Sequence, residues 1–219
     1  MPVLKWLKFL IAVLLLPVCA GLAMALGAIL RECGGADLTW IPFLAGVACW
    51  CVIFALLPKP MWIYVFGHEL THALWAWLFG GRVKKMKVTS SGGHVVVTKT
   101  NFLITLAPYF FPLYAVIVIT VFALGHALWG WQRFFVYFDL LLGAAYAFHV
   151  TLTFHALQTQ QSDITSQGYL FSGVVIFLGN FGILLFGIPL LTQKATLASA
   201  FLLWFHDTET ILQWLQKLV

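Results

Sequence analysis

The pentapeptide HELTH at residues 68–72 holds the side chains whose types and spacing best suit metal chemistry. On a helix, residues four apart lie one above the other, so His68 and His72 offer two imidazoles to one metal ion. Glu69 follows His68 directly, where its carboxylate can take a proton from a metal-activated water. The alternative is a pair of histidines that hydrogen-bond locally and do no chemistry. That alternative is costly within the apolar stretch at residues 61–80, because buried His and Glu side chains there need a polar interior or a ligand.

A catalytic zinc site needs a third protein ligand and one position left open for water. The polar run at residues 158–163 separates two apolar segments, and a polar break of this kind is tolerable in a membrane only where it lines a protein cavity. Asp163, at the end of that run, is therefore the predicted third ligand. Asp139, His149 and His155 remain alternatives, although a buried histidine more often bonds to a neighbouring carbonyl.

The composition is typical of a polytopic membrane protein. Hydrophobic residues make up 62% of the chain and charged residues only 9%, against about 25% in soluble domains. The mean hydropathy is +0.97. The formal charge of +5 does not indicate nucleic-acid binding, because five of the twelve basic residues fall in one loop: Arg82, Lys84, Lys85, Lys87 and Lys99.

Six apolar windows predict six membrane-spanning helices, at residues 9–30, 40–57, 61–80, 102–124, 134–157 and 169–191. The first window is too long for the apolar core of a signal peptide, so we interpret it as a retained helix. The tail at residues 196–219 mixes apolar residues at helical spacing with charged ones, which predicts an amphipathic, interfacial helix. The predicted fold class is thus an all-α polytopic membrane protein, with a single membrane-embedded domain over residues 1–219.

Residues 82–99 interrupt the apolar pattern directly after the metal-binding helix. Residues 90–93 are typical of a turn, and the valines that follow them have strand propensity. The pattern predicts a small membrane-associated β-hairpin. Its edge would bind an extended substrate segment at Val95, Val96 and Val97. The alternative is a basic loop at the lipid surface.

Together these features resemble the site-2 protease family of intramembrane zinc metalloproteases. That family has H-E-x-x-H in a transmembrane helix, a β-hairpin near it, and an Asp ligand at the start of a later helix. Residues 68–72, residues 82–99 and Asp163 are similar to these three features, and residues 101–108 are similar to the family's stretch of small residues and proline. The resemblance covers residues 61–191.

The resemblance implies an intramembrane zinc endopeptidase that cleaves a transmembrane-helix substrate. Zn²⁺ would be held by His68, His72 and Asp163, with Glu69 as the catalytic base. The partners would be a transmembrane protein substrate and the lipid bilayer, without nucleic acid, and the location would be the plasma (inner) membrane in a bacterium. The sequence gives no oligomeric state. The alternative function is a non-proteolytic metal-binding scaffold or a transporter, but the sequence lacks the symmetric pair of broken helices expected of a transporter.

Overall fold

The computed structural model of the chain describes residues 2–90 and 92–218. In chain order the elements are α1 (Pro2–Glu32), α2 (Asp37–Leu56), α3 (Met61–Leu78), β1 (Val83–Thr89), β2 (Gly92–Val97), α4 (Phe102–Leu106), α5 (Leu113–Trp129), α6 (Phe135–Leu157), α7 (Ser162–Gln167), α8 (Tyr169–Thr192) and α9 (Leu197–Gln216). Short 3₁₀ turns at Ala107–Tyr109 and Trp131–Phe134 precede α5 and α6. The described chain is thus mostly helical with one small hairpin after α3, as the sequence predicts.

Four helical segments in the described part of the chain are long and apolar enough to cross a membrane. They are Leu4–Glu32, Asp37–Leu56, Trp131–Leu157 and Tyr169–Thr192. The window at residues 61–80 also forms a helix, α3, but it is not among these candidates, because His68, Glu69 and His72 lower its mean hydropathy. These segments are typical of a membrane protein, while the number of six spans stays a prediction.

The window at residues 102–124 is broken and does not form one straight span. The helical segment Phe102–Tyr109 makes an angle of 81° with Leu113–Trp129, and the two form a fifth candidate span only if they are taken together. Pro108 and Pro112 flank the break, and a proline has no backbone N–H to continue a helical hydrogen-bond ladder. The two prolines account for the bend.

One compact unit comprises the chain up to Asp37 and from Ser162 onward. Within it, α1 packs along α8 and α9. The helices approach closely where Gly21 of α1 faces Thr208 of α9, because a side chain at residue 21 would collide with the Thr208 hydroxyl and backbone. A glycine in an otherwise apolar helix therefore marks this helix crossing.

The tail forms helix α9, as the amphipathic pattern predicts. Its start is fixed by a capping box, in which the Thr196 hydroxyl accepts from the Ser199 backbone N–H and the Ser199 hydroxyl accepts from the Thr196 backbone N–H. Large apolar side chains such as Phe201 and Phe205 are exposed along it. The helix is confirmed for residues 197–216, and its interfacial position stays a prediction.

The second compact unit comprises Leu38–Gln161. Helices α2 and α6 meet backbone to backbone in this unit, because a side chain at Gly46 would collide with the Leu140 carbonyl and one at Gly143 with the Phe43 carbonyl. Such reciprocal glycines allow two apolar helices to pack closely without a hydrophobic driving force between them. The chain thus forms two compact units, and the single domain over residues 1–219 stays a prediction.

The hairpin belongs to this second unit and has a tighter turn than the sequence predicts. Strands β1 and β2 pair antiparallel, with Val88 opposite Gly93 and Thr89 opposite Gly92. Both glycines are assigned to the turn by the sequence pattern, whereas the structure places them at the start of β2. Ser91, from the same predicted turn, lies outside the described residues.

Candidate metal centre

Helix α3 presents two of the predicted metal ligands, His68 and His72, on one face. The ring centroids of His68 and His72 lie 4.9 Å apart, as expected for residues one helical turn apart. Glu69 and His72 are buried, with 6% and 9% of their surfaces exposed, and His68 is half-buried. The Thr71 hydroxyl is engaged within the helix, where it donates to the Gly67 carbonyl over 2.7 Å. The predicted spacing therefore produces a compact pair of imidazoles with a buried carboxylate beside it.

A hydrogen bond fixes the orientation of the His72 ring. Its Nδ1 lies 2.8 Å from the Ile104 carbonyl oxygen, which can only accept, so Nδ1 carries the proton. Nε2 of the neutral ring then keeps its lone pair and is the atom able to bind a metal. A backbone carbonyl bonded to the second ring nitrogen is the usual partner of a metal-binding histidine.

The Ile104 peptide is itself held by the cap of a short helix. The Asn101 side chain accepts a hydrogen bond from the Ile104 N–H over 2.8 Å and so caps α4. The Ile104 carbonyl and amide are thus both engaged, one by His72 and the other by Asn101. The amino-acid sequence alone does not reveal this role of Asn101. The cap has a sequence signal, which is an asparagine directly before an apolar helical run. The contact between Ile104 and His72 has none, because it joins residues 32 positions apart.

The His68 ring lies against aromatic side chains. Its centroid is 5.3 Å from the Tyr109 ring in an edge-on arrangement and 6.0 Å from the Tyr64 ring. A small, partly open cavity lies beside it, lined by residues of α3, α5, α6 and the bend that precedes α5. His149 of α6 also lines this cavity. Helix α3 thus borders a small cavity beside His68.

Asp163 is the second residue of the short helix α7, where its carboxylate lies in the first turn. The backbone around it is fixed locally, because the Ser166 hydroxyl donates to the Asp163 carbonyl over 2.9 Å. One ligand atom from each of His68, His72 and Asp163 lies within 4.8 Å of the others. Two imidazoles and one carboxylate form a group that could hold a metal ion.

The alternative third ligands are not in that group within the described part of the chain. Asp139 is buried in α6 with 6% of its surface exposed, and His155 lies further along the same helix, 6.5 Å from the Phe54 ring. His149 borders the same cavity as His68 without joining the group. The choice of Asp163 as the third ligand stays a prediction.

The hairpin packs against helix α3. A side chain at Gly93 would lie 2.8 Å from Glu69 Cγ and 2.9 Å from Val65 Cγ1, both on α3. The absence of a side chain at residue 93 therefore lets β2 approach Glu69 directly. Further along β2, Val96 is exposed, whereas Val95 and Val97 are half-buried. Their binding of substrate stays a prediction.

No protein-family model, no curated protein and no solved structure matches the chain. The function must therefore be inferred from the site itself.

Proposed function

We propose that this protein is an intramembrane zinc endopeptidase, similar to the site-2 proteases, that cleaves a transmembrane-helix substrate. The observation that carries the proposal is the grouping of His68, His72 and Asp163 within 4.8 Å, with Glu69 buried beside His68. A metal-binding helix that also carries a carboxylate outside the ligand set has the parts needed for hydrolysis.

The donor set fits zinc. Zinc in catalytic sites takes three protein ligands drawn from imidazole, thiolate and carboxylate, and two histidines with one acidic residue form such a set. The hydrogen bond from His72 Nδ1 to Ile104 leaves the other nitrogen of that ring for the metal. When bound, Zn²⁺ would supply Lewis-acid activation of the attacking water and of the scissile carbonyl.

Glu69 is the general base and then the general acid. Its carboxylate takes a proton from the attacking water while the water oxygen bonds to the carbonyl carbon. The carbon–nitrogen bond then breaks, and Glu69 returns the proton to the leaving amine nitrogen. The burial of Glu69 between α3 and β2 limits competing bulk water at this carboxylate.

The substrate is a transmembrane helix that unwinds locally beside the hairpin. Among the described strands β2 pairs only with β1, so no strand covers its other edge, where an extended segment would bind. Val95, Val96 and Val97 would contact that segment. The four apolar segments support an integral, multi-pass location, which would be the plasma membrane in a bacterium.

The test uses purified protein in nanodiscs, with zinc content and cleavage of a transmembrane reporter measured in parallel. Glu69→Gln removes the base but no ligand, so we expect cleavage to fall by about 10²–10⁴-fold with zinc content near that of the wild type. Asp163→Asn should lose zinc. The matched control Asp139→Asn, on another buried aspartate, should keep it.

Three results would contradict the proposal. Full cleavage by Glu69→Gln would exclude the proposed base. Zinc retained by Asp163→Asn but lost by Asp139→Asn would exclude the proposed ligand set. Stoichiometric zinc without cleavage of any transmembrane reporter would favour the non-proteolytic scaffold.

A further inference from the structure

His149 is a buried histidine that the proposed roles leave unused. It lies in the interior of α6, with 7% of its surface exposed. Its Nε2 atom is inaccessible to solvent and has no hydrogen-bond partner in the described part of the chain. Burying a polar atom without a partner destabilises a fold, so this atom is expected to bind a water molecule or another polar group when the protein functions.

The position of His149 indicates where that group binds. His149 and His68 line the same small cavity, and all the residues that line it belong to the unit Leu38–Gln161. Two other polar side chains of the wall are already engaged. The Thr71 hydroxyl donates to the Gly67 carbonyl, and the Tyr114 hydroxyl donates to the Ile63 carbonyl. His149 Nε2 has no such partner in the described part of the chain, so a polar group that reaches it from the cavity would satisfy it.

His149 does not act as a metal ligand in this arrangement. The metal-binding group in the described residues consists of His68, His72 and Asp163, and His149 is not within it. A neutral imidazole close to a ligand but outside the ligand set can donate one hydrogen bond through its protonated nitrogen. Donors held in this way stabilise the negative charge that develops on the carbonyl oxygen during acyl transfer.

We propose that His149 is a catalytic residue whose Nε2–H donates to the scissile carbonyl oxygen as that oxygen becomes an oxyanion. The inference rests on the proposed peptidase function. As the water oxygen bonds to the carbonyl carbon, the carbonyl π electrons move to its oxygen, and the water proton goes to Glu69. The hydrogen bond from His149 shortens as the negative charge grows. When the carbon–nitrogen bond breaks, the carbonyl reforms and the bond to His149 weakens again.

Two variants separate this role from a structural one. His149→Leu removes the donor and places an apolar side chain beside Phe148 and Phe111, which also line the cavity. His149→Gln keeps an N–H group near the position of Nε2. For His149→Leu we expect kcat to fall by about 10²–10³-fold, with KM changed less than about threefold and zinc content unchanged. The His149→Gln variant should retain part of the kcat that His149→Leu loses.

A matched control is His155→Leu, on the same helix, which should keep wild-type kcat. A second readout does not depend on turnover, because a phosphinic peptide mimics the tetrahedral intermediate and can be titrated directly. Its Kd should rise in His149→Leu by about the factor lost from kcat. Binding of the uncleaved substrate to Glu69→Gln should not change when His149→Leu is added.

Four outcomes would overturn the inference. Wild-type kcat in His149→Leu would exclude any role for the side chain. Loss of zinc from His149→Leu would show that His149 is a metal ligand. An unchanged Kd of the phosphinic peptide, together with no recovery of kcat in His149→Gln, would show that its role is structural. In each of these cases, cleavage by the wild type would leave the proposed peptidase standing. Absence of cleavage by the wild type would overturn both.

Discussion

At the scale of single residues, the site depends on how one imidazole is oriented. His72 is fixed by its hydrogen bond to Ile104, and the Ile104 peptide is fixed by Asn101. A ligand whose tautomer and ring angle are set before the metal arrives loses less conformational freedom on binding. Asn101 is therefore a positioning residue for the proposed zinc site although it contacts no ligand atom.

Replacing Asn101 with Ala should weaken zinc binding by about tenfold, because removal of the cap loosens the Ile104 carbonyl that orients His72. The measurement is zinc affinity by competition with a chromophoric chelator. Thr196→Ala is the matched control, because it removes the hydroxyl cap of α9 without touching the metal helix. Equal zinc affinity in both variants would show that the cap does not act on His72.

The residue scale is also where the sequence predicts most. Spacing of four residues places two histidines on one helix face whatever the surroundings, so His68 and His72 are identifiable without a structure. Asp163 is identifiable only as one of several candidates, because its distance from α3 depends on the tertiary fold. The roles of Asn101 and His149 could not be predicted, since each depends on contacts with residues far away in the chain.

At the scale of elements, the close contact between β2 and α3 requires a glycine at residue 93. The sequence predicts a turn at residues 90–93 because serines and glycines are common there. The structure pairs Gly92 and Gly93 with β1, and the close approach to Glu69 explains why residue 93 lacks a side chain. Local pattern cannot separate these two uses of glycine, since both require a missing Cβ.

Gly93→Ala should lower kcat while zinc content stays near that of the wild type. The added methyl group would meet Glu69 Cγ, Val65 and the Lys87 carbonyl at under 3.0 Å, so either the base or the hairpin must shift. Steady-state cleavage and zinc content are the measurements. Gly187→Ala in α8, where a Cβ meets nothing within 4 Å, is the control. Wild-type kcat in Gly93→Ala would mean that the site tolerates a displaced hairpin.

At the scale of the whole molecule, the stability of the unit Leu38–Gln161 depends on close helix packing. Helices α2 and α6 are both strongly apolar, so hydrophobic burial alone does not favour their contact over contact with lipid. Reciprocal glycines at residues 46 and 143 bring the two backbones together instead. The sequence predicts both helices, but not their pairing, because one glycine in an apolar helix does not identify its partner.

Gly46→Val should lower the thermal unfolding midpoint, because its Cβ would collide with the Leu140 carbonyl and the helices must separate. Overpacking of this kind costs about 1–3 kcal/mol. The unfolding midpoint in detergent is the measurement. Gly182→Val in α8 is the matched control, since that position is open. Similar midpoints for the two variants would indicate that α2 and α6 separate without cost.

The bend between α4 and α5 has a consequence for solvent supply. Hydrolysis consumes one water molecule for each bond cut, and lipid tails do not deliver water. Pro108 lines the cavity beside His68, and Pro112, four residues on, has no N–H to continue a helical hydrogen-bond ladder. The break in the helix therefore lies next to the histidine of the candidate metal centre. In the proposed peptidase, the two prolines would keep this side of the site open to an arriving water molecule instead of closing it with a straight helix.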